Sequence, residues 1–281
     1  MLLKTSGLVI REKVLSNDNR MLTILTGEYG VIKAFIRTSR KMRSSLAAAI
    51  DLFSYSDFLI FFNKDQYCVD GAETNRIFYH LREDLEKTSL AAYMGELAET
   101  LVPQGEPAQE YLSLMLNCLH LLETDQRTVD FIKPLFELRL LTMAGYMPDL
   151  VGCTCCGQYQ AEQFYFSHYT GKLLCANCCE QEKPQGYVPL TKDQLAAMRH
   201  IVFAQGNRVF RFKMSEAGLY NLGILTEVYL NTHLDKRFPS QEFYDNLRAQ
   251  TRSLKPLLQR PVPQESAEPQ TQQAITNEEV K

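Results

Sequence analysis

Two pairs of closely spaced cysteines constrain the fold of this chain more than any other feature of its sequence. The pairs are Cys153-x-x-Cys156 and Cys175-x-x-Cys178, and 18 residues separate them. Two short knuckles at this spacing can bring four thiolates to the corners of one tetrahedron, about 2.3 Å from a zinc ion. Gly157 follows the first pair and allows a tight backbone turn beneath such an ion. We therefore expect these four cysteines to hold one structural Zn²⁺.

Other cysteine chemistry remains open at this point. The same four thiolates could hold an iron–sulfur cluster. Disulfides suit an oxidising compartment, but the N-terminus lacks the features of a signal peptide. A thioredoxin-type redox site needs only one such pair. Cys155 and Cys179 adjoin the two pairs, and either could replace a neighbouring ligand. Cys68 and Cys118 lie in apolar sequence and are expected to be core thiols.

The charge of the chain is unevenly distributed along its 281 residues, although the net charge is only −3. Residues 1–80 carry 11 lysines and arginines against eight aspartates and glutamates. Residues 81–260 carry 18 against 21, and residues 261–281 carry one against four. The chain thus has a basic head, a mildly acidic body and an acidic tail. No apolar stretch is long enough for a transmembrane helix, so we expect a cytoplasmic protein without membrane contact.

The basic head has the pattern of a small β-barrel. Five extended, apolar-rich runs are separated by turn residues. These predicted strands are Ser6 to Leu15, Arg20 to Thr26, Val31 to Arg37, Leu52 to Phe62 and Tyr67 to Thr74. Five short strands within one domain favour an OB-type barrel, and an SH3-like barrel stays open as an alternative.

A helical period replaces the strand pattern from about residue 80. The predicted helices are Leu81 to Leu101, Ala108 to Leu122, Val129 to Ala144, Lys192 to Ala204, Glu216 to His233 and Gln241 to Leu254, with Thr191 and Ser215 as N-caps of the fourth and fifth. The cysteine segment, with a hairpin turn at Thr170-Gly171, interrupts them. We predict an α+β multidomain protein: an N-terminal OB-fold β-barrel (1–80), an α-helical domain (81–254) with an inserted four-cysteine zinc ribbon (150–185), and a disordered acidic tail (255–281).

A cluster of cations near the third predicted strand indicates phosphate binding. Lys33, Arg37, Arg40, Lys41 and Arg43 fall within eleven residues, and serines and threonines lie between them. Guanidinium groups and hydroxyls match the needs of phosphate oxygens. A solvated charged loop is the simpler interpretation, but oligonucleotide-binding barrels combine such cations with aromatic platforms. The aromatic candidates are Phe35, Tyr29, Tyr55 and Phe58, although their apolar surroundings are typical of core residues. A second basic cluster comprises Arg199, Arg208, Arg211 and Lys213.

Several strings of residues, in the same order along the chain, resemble the bacterial recombination mediator family RecO. They include Gly7-Leu8-Val9-Ile10-Arg11, Asp18-Asn19-Arg20-Met21-Leu22, Glu28-Tyr29-Gly30, Arg40-Lys41-Met42-Arg43-Ser44 and Leu81-Arg82-Glu83-Asp84-Leu85. The most specific is Gly145-Tyr146-Met147-Pro148-Asp149-Leu150, because it runs directly into Cys153-x-x-Cys156-Gly157.

This resemblance implies an OB-fold, a helical domain with a zinc ribbon, and binding to single- and double-stranded DNA. It also implies annealing of complementary strands and indirect help in loading the RecA recombinase, with RecR and the single-stranded DNA-binding protein as partners. One departure concerns the basic segment, where family members often read Lys-Gly-x-Arg. Arg37-Thr38-Ser39-Arg40 keeps the charge and loses the glycine.

Three functional hypotheses follow. The first is a DNA-binding mediator of repair and recombination that has no reaction of its own and works at the nucleoid. The second is a zinc enzyme acting on nucleic acid, but none of the five histidines begins the His-x-Glu of a deaminase, and HExxH is absent. The third is a zinc-stabilised protein adaptor that does not bind DNA directly.

Overall fold

The computed structural model describes residues 2–15, 19–36, 44–63, 66–182 and 185–258. Five strands and one short helix form its N-terminal part. They are β1 (Leu2–Val14), β2 (Arg20–Thr26), β3 (Gly30–Ile36), α1 (Ser44–Ala49), β4 (Ser54–Asn63) and β5 (Gln66–Ile77). All five predicted strands are present, with ends that differ by a few residues. The sequence did not predict α1, because six residues are too few to establish a helical period.

The five strands close into a barrel in the order β1-β2-β3-β5-β4. β3 and β5 pair in parallel, whereas the other neighbours pair antiparallel. β1 is long enough to serve two partners and exchanges one for the other at Gly7, which stands opposite Thr26 of β2 and Ser56 of β4. A Cβ atom at Gly7 would lie 2.5 Å from the side chain of Ile24, so this crossing point requires glycine.

Alternate residues of the strands point into the barrel and fill it, as the two-residue period of a strand requires. The interior contains Leu3, Val9, Leu22, Ile24, Ile32, Ala34, Ile36, Ile50, Phe58 and Ile60. Leu25 and Val31 point outward instead and are buried against helices. The barrel is therefore packed inside and docked on its outer face.

The helices follow the barrel and carry most of the remaining core. They are α2 (Leu85–Leu101), α3 (Gln109–Glu123), α4 (Val129–Met143), α5 (Ala176–Glu182), α6 (Lys192–Phe203), α7 (Glu216–His233) and α8 (Pro239–Leu258). The predicted caps Thr191 and Ser215 are confirmed, because each side chain accepts a hydrogen bond from a backbone amide of the first turn. The Asp84 carboxylate caps α2 in the same way.

The last helix ends later than the sequence indicated. α8 continues to Leu258, whereas the prediction placed its end at Leu254 and began a disordered tail at residue 255. Pro256 indicated a helix stop, because a proline loses its N–H donor and its ring meets the carbonyl of residue i−4, yet α8 runs two residues past it. The rest of the predicted tail, residues 259–281, lies outside the described part of the chain.

A four-stranded sheet is inserted between α4 and α6. Its strands are β6 (Asp149–Cys153), β7 (Phe164–Ser167), β8 (Lys172–Cys175) and β9 (Tyr187–Leu190), in the order β6-β8-β7-β9, and α5 follows β8. The hairpin predicted between the cysteine pairs is β7–β8, and it turns at 168–171. The sequence did not predict β6, β9 or α5, which contain only four to seven residues each.

One large apolar cluster joins the three parts of the molecule. It runs from Leu8 and Leu25 on the barrel, through the helices, to Phe166 and Leu173 of the inserted sheet. The barrel and the inserted sheet are therefore anchored in the helical core rather than attached by linkers. Within the described ranges, none of the helices has the length and apolar character that crossing a bilayer requires.

Candidate metal centre and nucleic-acid interface

The first cysteine knuckle is a tight turn at the end of β6. The Gly157 amide donates a hydrogen bond to the Cys153 carbonyl at 2.7 Å, which closes the turn, and Gly157 has a φ of +75°. That left-handed conformation favours glycine, as the sequence indicated. The second knuckle joins the end of β8, at Cys175, to the first turn of α5, which carries Cys178.

The two knuckles bring the four predicted cysteines together. The sulfur atoms of Cys153, Cys156, Cys175 and Cys178 all lie within 4.8 Å of one another, and those of Cys156 and Cys175 are 3.8 Å apart. A tetrahedron with metal–sulfur distances of about 2.3 Å has edges of about 3.8 Å. A disulfide would require about 2.05 Å. The four residues therefore fit a single tetrahedral metal ion.

Hydrogen bonds within the group prepare one thiol for metal binding. Burial opposes ionisation of Cys153, but backbone amides of Cys156, Cys175 and Cys155 donate to its sulfur and lower its pKa to about 6. Hydrogen bonding to the Cys175 sulfur instead raises the pKa of Cys178. Since metal ligands are thiolates, binding of an ion at this site must release protons.

The other four cysteines lie outside the metal-binding group. Cys155 is exposed and Cys179 is half-buried, and neither joins the four ligand sulfurs. Cys118 is completely buried in the helical core, and this burial raises the pKa of its thiol. Cys68 is half-buried on β5.

A second candidate site lies at one end of the barrel. The register places Val14 opposite Arg20, and Arg20 opposite Ile36. Ala34 of β3 lies beside Tyr67 of β5 in the parallel pair. The end of β1, the start of β2 and the end of β3 are therefore neighbours, around residues 15–19 and before residues 37–43. The β4–β5 hairpin lies at the other end of the barrel, because Phe61 of β4 pairs with Leu2 at the start of β1.

Of the five cations predicted to bind DNA, the structure describes one. Lys33 lies on the outer face of β3 and is half-exposed, and its ammonium group pairs with Glu99 of α2 at 2.8 Å. Arg37, Arg40, Lys41 and Arg43 lie outside the described residues, although β3 directs the chain into their segment from the shared end of the barrel.

Aromatic side chains are exposed at the other end of the barrel, at the β4–β5 hairpin. Phe61 is 43% exposed at the end of β4, and the rings of Phe62 and Tyr67 lie 4.8 Å apart across the β4–β5 hairpin. Sequence reasoning did not select these residues. Of its candidates, Phe58 is buried inside the barrel. The signal that distinguishes Phe61 and Phe62 is their position beside the polar turn 63–66.

The second basic cluster is not one continuous site. The Arg199 guanidinium donates to the carbonyls of Leu150, Val151 and Tyr159, and it stacks on the Tyr159 ring at 4.3 Å. Arg199 therefore fastens the inserted sheet to α6 through its Nε and Nη2 groups. Arg208, Arg211 and Lys213 are exposed in and after the short 3-10 turn that precedes α7.

Comparison with known proteins assigns both parts of the chain to one family. The family described as Recombination protein O N terminal matches residues 1–78, and Recombination protein O C terminal matches residues 82–242. The chain belongs to the RecO family. The two matches meet close to the predicted change from strands to helices at residue 80.

RecO proteins from several bacteria match along almost their whole length. The DNA repair protein RecO of Acetivibrio thermocellus is 33% identical over 245 residues, which cover 87% of this chain and 97% of that relative. The protein of the same name from Alkaliphilus metalliredigens is 31% identical over 236 residues, covering 84% and 95%. That of Symbiobacterium thermophilum is 28% identical over 251 residues, covering 88% and 98%. A role in DNA repair follows from RecO membership.

Proposed function

We propose that this protein binds single- and double-stranded DNA at the end of its barrel where the end of β3 lies beside the start of β2. The sequence position of the predicted cations carries the proposal, because Arg37, Arg40, Lys41 and Arg43 directly follow β3. The closed strand order with one parallel pair, β3–β5, supports assignment as an OB-type barrel. Such barrels bind oligonucleotides through the face of strands 2 and 3 and the adjoining loops.

The chemistry of these residues suits binding that does not depend on base sequence. Arginine and lysine neutralise phosphates and release counterions, so the affinity should fall steeply as salt rises. Phe61, Phe62 and Tyr67, at the other end of the barrel, offer ring faces on which any base of a longer bound strand can stack. Contacts of these two kinds tolerate every sequence, which a protein that pairs arbitrary complementary strands requires.

The role that fits these contacts is that of a mediator. By holding two polyanionic strands near one another, the protein would promote annealing, and with RecR it would assist the loading of RecA on strands covered by the single-stranded DNA-binding protein. RecO membership supports these partners. The protein would act on chromosomal DNA in the cytoplasm, and it would need no reaction of its own.

We also assign Zn²⁺ to the four-cysteine group as a structural ion. The all-sulfur donor set and the tetrahedral spacing suit zinc in a closed site without an open coordination position. The ion would supply folding free energy to the inserted sheet and would take no part in DNA chemistry.

A protein adaptor without direct DNA contact is the alternative function, and one observation favours it. Tyr220, Ile224 and Val228 follow one another at four-residue spacing on α7, and each is at least 40% exposed. An apolar row of this kind is typical of a surface that a partner protein covers.

The test replaces Arg37, Arg40, Lys41 and Arg43 together by alanine and measures binding of an oligothymidylate by fluorescence anisotropy over a range of salt concentrations. We expect a loss of at least about a hundredfold at low salt and a salt slope shallower by about 2.8, since each single-strand phosphate contact contributes about 0.7. The matched control replaces four exposed cations of the helical region, Lys192, Arg208, Arg211 and Lys213. Unchanged affinity of the first variant, or an equal loss in the control, would refute DNA binding at the barrel end.

A further inference from the structure

Three residues stand in one row across the outer face of the barrel. Arg11 of β1 pairs with Thr23 of β2, and Thr23 pairs with Lys33 of β3. Neighbouring strands lie about 4.8 Å apart, so about 10 Å separates the backbones of the two cations. Residues directly opposite one another point to the same side of a sheet. Arg11 and Lys33 therefore extend from the same face, on either side of a buried threonine.

A β-bulge in β1 puts Arg11 on this face. The register shifts between Val9 and Arg11, which leaves Ile10 as an extra residue. Without this extra residue Arg11 would stand opposite Leu22, whose side chain fills the barrel interior. Bulges of this kind re-aim side chains and are common beside functional sites. The local backbone thus turns a cation outward that a regular strand would direct into the core.

One carboxylate bridges the two cations. Glu99 of α2 accepts from Arg11 Nη1 at 3.0 Å through one oxygen and from Lys33 Nζ at 2.8 Å through the other. Burial opposes the ionisation of Glu99, but the hydrogen bonds from Lys33 and Arg11 outweigh it and lower its pKa. The carboxylate is therefore a fixed anion whose two oxygens occupy both cations, as two oxygens of a phosphate group would.

The ion pairs are not what holds α2 against the barrel. The backbone of the β2–β3 hairpin is already bonded to the α2–α3 connection, since the Val31 amide donates to the Pro103 carbonyl and the Gly105 amide to the Tyr29 carbonyl. Outward-facing apolar residues of β1 to β3 are buried in the helical core as well. The side chain of Arg11 is 58% exposed and that of Lys33 is 47% exposed. Ion pairs with partners this accessible contribute little to stability.

We infer that Arg11 and Lys33 form a phosphate-binding pair of the nucleic-acid interface. Glu99 competes with the DNA strand for these two cations. This inference rests on the DNA binding proposed above. Lys33 lies on β3, which leads into the basic segment 37–43, so a bound DNA strand that runs from that segment back along β3 would reach this pair next. DNA binding and the ion pairs between the barrel and Glu99 of α2 are then linked, because each weakens the other.

The experiment compares the full chain with Glu99→Gln in oligothymidylate binding as a function of salt. Glutamine keeps the size of the side chain and removes its charge. For each cation released, we expect the slope of log affinity against log salt to steepen by about 0.7. The ratio of the variant's affinity to the natural protein's affinity should then be roughly eightfold larger at about 50 mM salt than at about 1 M. Adding Arg11→Gln and Lys33→Gln to the variant should abolish the gain.

Two controls distinguish failure of this inference from failure of the proposed DNA binding. Glu216→Gln removes the same charge from an exposed position on α7 and should leave affinity unchanged. If the natural protein binds the oligonucleotide without salt dependence, the proposed function itself fails. If it binds with the expected salt dependence but Glu99→Gln gains nothing, or gains equally without Arg11 and Lys33, only the inference is overturned. Should Glu99→Gln not fold, Arg11→Gln with Lys33→Gln provides the test: a slope shallower by about 1.4 supports the inference, and an unchanged slope overturns it.

Discussion

At the scale of single residues, Asp245 shows how an excess of acidic groups is accommodated. It lines a cavity of about 300 Å³ between α4, α7 and α8, together with Lys133 and Glu227. The Lys133 ammonium is already engaged, 2.9 Å from Glu137 and 2.7 Å from Glu227. Burial and the neighbouring Glu227 carboxylate raise the pKa of Asp245 to about 6. The folded protein therefore holds a proton on Asp245 that the unfolded chain releases at lower pH.

The pKa of Asp245 predicts a definite pH dependence. The unfolded side chain titrates near pH 3.9, so the stability that protonation contributes is complete below about pH 4 and is lost as the pH rises through 6. We expect Asp245→Asn to be more stable than the natural protein by about 1 kcal/mol at pH 7, after allowance for the partial exposure of the site. The difference should vanish below about pH 4. Urea unfolding across this range measures it.

Asp235 is exposed, so Asp235→Asn makes the same chemical change at the surface and provides the control for that measurement. An Asp245→Asn variant that is less stable than the natural protein at pH 7 would show that the ionised carboxylate makes a favourable contact.

The sequence separation between interacting residues explains which contacts could be predicted. Cys153 and Cys156 form one knuckle by local geometry, and the spacing of the second pair supplied the remaining ligands. The partner of Lys33 could not be foreseen in the same way, because Glu99 is 66 residues away and meets it only after α2 packs on the barrel. Arg199 counted as a surface cation for the same reason, although its role is to bind carbonyl groups of the inserted sheet.

At the scale of elements, the inserted sheet is the part that most needs a metal. Its four strands contain only four or five residues each. Small sheets of this kind lack enough apolar area to be stable alone. Leu173 and Phe166 attach one face of the sheet to the helical core. The four-cysteine group joins the ends of β6 and β8 to the start of α5.

Two adjacent cysteines allow a matched test of this role. Cys156→Ser should lose the bound zinc and lower the melting temperature by roughly 10 °C or more, because metal binding contributes several kcal/mol of folding free energy. Cys155→Ser should keep one zinc per chain and the natural melting temperature. Elemental analysis and thermal unfolding measure both effects. Loss of zinc from Cys155→Ser, or retention of zinc by Cys156→Ser with unchanged melting, would contradict the ligand assignment.

Elements were predictable in proportion to their length. The strands of the barrel and the helices of ten or more residues show clear periods of two or 3.6 residues, and each is present near its predicted place. α1, α5, β6 and β9 are too short to repeat a period, and tertiary packing decides their conformation. The position of the bulge at Ile10 was equally hidden, since it depends on the register between β1 and β2.

At the scale of the whole molecule, the net charge of −3 conceals a division between a basic barrel and an acidic body. The sequence indicated this division and the change from strands to helices. It did not indicate that apolar residues on the outer face of the barrel pack into the helical core. That packing leaves one barrel end and the surface around Arg11 and Lys33 accessible to ligands. Such an interface is built from segments far apart in the sequence, so no local sequence pattern predicts it.

The central claim is that DNA strands contact the end of the barrel. Photo-cross-linking to an oligothymidylate that carries 5-iodouracil, followed by mass spectrometry of the linked peptides, tests it most directly. We predict cross-links within residues 33–43 and, for a longer oligonucleotide, at Phe61, Phe62 and Tyr67, with a yield that falls as salt rises. Cross-links confined to the inserted sheet at 149–190, or to α6 and α7, would contradict the account.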